Sequence, residues 1–138
     1  MNRRQSDPRR GVAAVELACL APLLIFLLVI TVDWARIFYY SVTIANCARN
    51  GAIYGSDTTA QSISPYTSIQ QAALADANNL SPSPTVTSVT GTDANGNGYC
   101  EVTVSWQFTL VTSYPGIANP TTITRTVRMR TAPPTPSG

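Results

Sequence analysis

The chain has 138 residues, with nine arginines, seven acids, no lysine and no histidine, for a net charge of +2. Catalysis or metal binding through histidine is excluded, and the length leaves room for one small domain beyond any long helix. The charge is uneven: residues 1–11 hold four arginines against Asp7, and no basic or aromatic cluster points to nucleic acid. Residues 1–11 read as a short basic leader.

Val12–Val32 is a run of 21 residues with one charge, Glu16. A bilayer core of about 30 Å needs about 20 apolar residues in a helix, so residues 12–32 read as a transmembrane helix. The basic leader places the N-terminus in the cytoplasm and residues 33–138 outside. A carboxylate near the centre of a span costs about 2.5–3.5 kcal/mol, and less towards an end, so Glu16 calls for a partner. A cut after Gly11 would give Val12 a new α-amine four residues before Glu16, on the same helix face.

The helical pattern runs on through residues 33–55. Ile37, Tyr40, Ile44, Cys47 and Tyr54 make one apolar face, and Trp34, Tyr39 and Tyr40 sit where an interfacial aromatic belt belongs. Gly51 and Gly55 predict its end. Residues 56–131 read as a small outer domain. Ser56–Ser64 is a polar loop, then Ser64-Pro65 opens a second helix that runs to Ala77. Three strands follow, at Thr85–Thr90, Tyr99–Val111 and Thr121–Arg130. The middle one alternates cleanly, with Cys100, Val102, Val104, Trp106, Phe108 and Leu110 on one face. The fold class is therefore α+β: a long N-terminal transmembrane helix reaching into a domain with a short helix and about three antiparallel strands. Residues 132–138 form a proline-rich tail, expected to be disordered.

Cys47 and Cys100 both fall in the outer segment, in a compartment that permits disulfides. A bridge would close a loop of about 53 residues, worth about 4 kcal/mol on the chain-entropy model. Two buried, unpaired thiols fit the same letters. Asp93, Asn95 and Asn97 match the first half of a calcium loop, but the twelfth position is Val104 and a strand follows. An Asn-Gly hairpin loop explains the same letters, and no metal is expected. No nucleophile–base pair emerges, so no enzyme activity and no cofactor are expected.

The segment Arg9-Arg10-Gly11-Val12-Ala13-Ala14-Val15-Glu16-Leu17-Ala18 resembles the class 3 signal of type IV pilin-like proteins, which joins a basic leader, a glycine before the cut and a glutamate five residues after it. Residues 9–55 as a whole resemble the TadE-like family of tight-adherence (Flp) pilus assembly proteins. The ordered parts are Glu16, Pro22, Asp33-Trp34-Ala35-Arg36, and Asn46 with Ala48-Arg49-Asn50-Gly51-Ala52. The resemblance implies a minor pilin or pseudopilin that a prepilin peptidase cuts between Gly11 and Val12. It implies a single-pass protein of the bacterial inner membrane, with the C-terminal domain periplasmic or extracellular. It further implies that Glu16 pairs with a neighbour's α-amine, and that the partners are other pilins and pilus assembly proteins serving adhesion or secretion. An assembly factor that never enters the filament in quantity fits the same resemblance. The alternative from another class is an unprocessed single-pass anchor carrying a binding domain.

Overall fold

The computed structural model describes residues 8–131, with side chains described from Gly11 onward. Residues 1–7 of the leader and the tail at 132–138 lie outside the described residues. Helix α1 runs unbroken from Pro8 to Ser56, 49 residues with Pro22 inside, which is about 73 Å of helix. Two short helices follow, α2 (Thr58–Ile63) and α3 (Ile69–Leu74), then strands β1 (Thr85–Thr92), β2 (Gly98–Phe108) and β3 (Thr121–Arg130). The strands form one antiparallel sheet in the order β1-β2-β3. This is the α+β class expected from the sequence.

The segment between α1 and β1 departs from the sequence reading. The stretch read as a polar loop holds α2, because the Asp57 side chain accepts the Thr59 amide and caps it. The helix expected from Ser64-Pro65 starts only at Ile69. Ser68 is its cap, accepting from the Gln71 amide, while Gln71 Oε1 accepts from the Thr67 amide and hydroxyl. Ser64 Oγ instead accepts the Tyr66 amide, a local turn that competes with helix.

The core lies between the outer half of α1 and the inner face of β2. Ile44, Cys47, Ala48 and Ala52 on α1 are buried against Cys100, Val102, Val104 and Phe108 on β2. Two glycines set how close helix and sheet come. A Cβ on Gly51 would meet Val102 Cγ1 at 3.1 Å and Ala73 Cβ at 3.0 Å, and one on Gly55 would collide with Cys100 Sγ. Four helix residues rise about 6 Å and two strand residues about 6.7 Å, so the pairs Gly55–Cys100 and Gly51–Val102 fix a common register. Chain direction in β2 therefore runs back down α1 towards the apolar half. Further down, Tyr40 meets Trp106 and Phe108, with ring centroids 4.7 and 5.5 Å apart, and Arg36 lies 4.9 Å over the Phe108 ring. Tyr40 thus belongs to the core and not to an aromatic belt, whereas Trp34 and Tyr39 remain exposed.

The outer face of the sheet is polar. Thr103 and Thr126 hydroxyls lie 2.8 Å apart and Ser105 and Thr124 hydroxyls 3.1 Å apart, cross-strand pairs that suit a solvated surface. β2 ends at Phe108, three residues before the alternation does, because β3 begins opposite it at Thr121 and leaves residues 109–111 without a ladder partner.

Candidate functional site

The first half of α1 stands clear of the domain. Val12, Val15, Leu17, Leu20, Leu23, Leu24, Ile25, Phe26, Leu27 and Leu28 are all exposed, and none of this apolar stretch is buried against the rest of the chain. Such a surface is far larger than the patches soluble monomers expose, so it requires lipid or protein around it. The helix is long and apolar enough to cross a membrane. Gly11 lies within it, exposed, with open space where a side chain would be. Glu16 is exposed on the same stretch, and no described residue forms an ion pair with it. Val12 and Glu16 stand one helical turn apart on one face.

Where the apolar stretch ends, the chain buries an acid. Asp33 is 1% exposed and is the one buried charged side chain among the described residues. Its Oδ1 accepts the Val111 amide at 3.0 Å, and its Oδ2 accepts the Thr112 amide at 3.3 Å and the Tyr114 hydroxyl at 3.1 Å. Arg36 Nη1 stands 3.3 Å from Oδ1. The Val111 amide holds the carboxyl below its ordinary range. Burial opposes this, and the Thr112 amide, Tyr114 hydroxyl and Arg36 guanidinium add to the lowering. Burial, followed by the neighbouring carboxylate, pushes the Tyr114 hydroxyl up. The Val111 and Thr112 amides after β2 are thus satisfied from α1, while the Leu110 amide donates to Asn119 Oδ1, and the β2–β3 connection is tied to the residue that follows the span. Beside this clamp lies an open groove of about 660 Å³, lined by Ile30, Trp34, Ile37, Leu110, Tyr114 and Ile117 among others.

Sequence reasoning placed Asp33 only in a family pattern. Its partners lie 78 to 81 residues further along the chain, beyond the reach of local periodicity. The signal available was an acid immediately after an apolar span, which demands donors.

The two cysteines are buried and free. Cys100 packs against Gly55, and Gly55 is eight residues, about 12 Å of helix axis, beyond Cys47. A disulfide needs Cα atoms within about 7 Å, and in this register both cysteines stand as free, buried thiols. Burial raises both thiols, with Asp76 adding to the effect at Cys47. Asp93 serves a hairpin. Its Oδ1 accepts the Asn95 amide at 2.9 Å and the Asn97 amide at 2.8 Å, and Gly96 takes φ +80° in the turn. Arg130 sits 3.9 Å from its Oδ2. Turn geometry and a neighbouring cation account for Asp93, Asn95 and Asn97, and among the described residues no group of three or more Cys, Asp or Glu could hold a metal ion.

Residues 11–52 match the family model described as TadE-like protein. The resemblance read from residues 9–55 is borne out on that stretch. No curated protein and no solved structure matches the chain.

Proposed function

We propose that the protein is a minor pilin or pseudopilin of a tight-adherence type IV pilus, cut between Gly11 and Val12 by a prepilin peptidase and assembled through its N-terminal helix. The observation that carries this reading is the family match beginning at Gly11, on a helix whose run Val12–Val32 is apolar, uncovered and charged only at Glu16. The cut replaces a neutral peptide nitrogen with an α-ammonium at Val12. One turn away on the same helix, or on an adjacent copy, Glu16 supplies the opposite charge. In low dielectric an unpaired carboxylate is strongly disfavoured, so subunits pack only in the register that pairs the two. The span holds the subunit in the inner membrane before assembly, with the leader cytoplasmic and the α+β domain periplasmic or outside. The role is structural and not catalytic.

Glu16→Ala tests the pairing. The variant is expected to enter the membrane at wild-type levels or better, because it removes a charge from the apolar run. It is expected to lose co-purification with pilus components and pilus output. Normal output from Glu16→Ala would remove the pairing role.

A further inference from the structure

The β2–β3 connection is unlike the rest of the outer domain. No residue from Val102 to Thr124 is charged, although this run includes the 12 residues 109–120 that leave the sheet. Val111 is 66% exposed and Ile117 47% exposed, and both project from an uncharged loop whose other large side chains are Tyr114 and the buried Leu110. The loop sits at one particular height. Asp33 holds the Val111 and Thr112 amides, and Asp33 is the residue directly after the apolar run Val12–Val32. Trp34, 52% exposed, lies beside it. The groove between loop, helix and the start of β3 begins at Ile30, inside the run, and continues past Trp34 to Tyr114 and Ile117, with Arg125 on its β3 wall. The opposite end of the sheet differs: the hairpin there carries Asp93 and faces Arg130.

We infer that the β2–β3 loop is a second membrane contact, resting on the outer leaflet with Val111 and Ile117 in the headgroup–acyl boundary. Its occupant is the lipid surface itself. Continuity with the span argues for this, since the groove opens from bilayer depth. So does the absence of charge in a loop fixed at the interface, where each charged group would need its water retained. Trp34 and Tyr114 have the amphipathic rings that favour this layer. The Asp33 clamp then has a mechanical consequence. It buries an acid that would otherwise face the lipid boundary, and it makes the loop and the helix one unit, so the loop limits how far the domain can tilt about the span.

The inference rests on reading residues 12–32 as the span, and the test separates the two. Single cysteines at Leu24→Cys, Val111→Cys, Ile117→Cys and Asn95→Cys are placed in a full chain carrying Cys19→Ser; Cys47 and Cys100 stay buried. Each is labelled with an environment-sensitive fluorophore and reconstituted in vesicles of phosphatidylethanolamine and phosphatidylglycerol. The expected result is a blue-shifted emission at 24, 111 and 117, quenched by nitroxide-bearing phospholipid, with label 95 water-like and unquenched. If label 24 is quenched while 111 and 117 behave like 95, the loop contact is wrong and the span stands. If label 24 is unquenched, the span reading fails and the inference with it. A blue shift at 111 and 117 without lipid quenching means that protein, such as a second copy, covers the loop, and also overturns the inference.

Discussion

Phe108→Ala should be the most damaging single truncation in the outer domain. The ring is fully buried, with centroids 5.5 Å from Tyr40 and 6.1 Å from Trp106 and the Arg36 guanidinium 4.9 Å above it. It is also the last residue of β2, three before Val111, whose amide Asp33 holds. Removing a buried phenyl group costs about 3–5 kcal/mol in lost transfer energy and cavity formation. A domain of this size has a total stability of about 5–15 kcal/mol. The variant should therefore lose between about a fifth and all of its folding free energy. The measurement is urea unfolding of the full chain in detergent, followed by near-ultraviolet circular dichroism, which reports the Tyr40–Trp106–Phe108 cluster. Far-ultraviolet helicity from residues 12–32 should persist through that transition, because the micelle and not the sheet supports it. Phe108→Leu, which refills part of the cavity, should lose less. A Phe108→Ala variant within about 1 kcal/mol of wild type would show that this cluster does not join helix to sheet, and the packing register would have to be redrawn.

Acid should loosen the clamp. The folded Asp33 carboxyl lies below its ordinary value of 3.8, so its contribution is fully present above that value and is lost as pH falls through the lower folded one. Stability measured across this acid range should fall less steeply for Asp33→Asn than for wild type, and equal slopes would contradict the clamp; Asp93, also lowered, contributes to both. Thiol counting checks the cysteines: Cys19 alone should react in the folded protein, and Cys19, Cys47 and Cys100 should all react after unfolding without reductant. One reactive thiol after unfolding would show the Cys47–Cys100 bridge instead.

What could be read from the sequence followed the range of the forces involved. β3 was legible to its exact ends, Thr121 and Arg130, and the inward face of β2 was legible residue by residue, because strand alternation is local. The bare apolar helix and its lone Glu16 were equally plain, since composition alone identifies them. Residues 56–77 were misjudged where two serines competed for one cap. Ser64 turned out to hold a local turn and Ser68 the helix, a choice decided by where Ile69 and Ala73 meet Gly51 and Gly55. The separation of Cys47 from Cys100 was hidden for a similar reason. Both belong to the correct faces, and only the helix–sheet register puts two turns between them. Asp33 was the largest omission, because its donors are backbone amides whose freedom depends on where β3 happens to begin.

Sequencing the mature N-terminus by mass spectrometry, on protein purified from cells that make the pilus, tests the central claim most directly. The account predicts a chain beginning at Val12, and an unshortened chain when Gly11 is replaced or the peptidase is absent. A wild-type protein that still begins with the arginine-bearing leader while the pilus forms normally would contradict it.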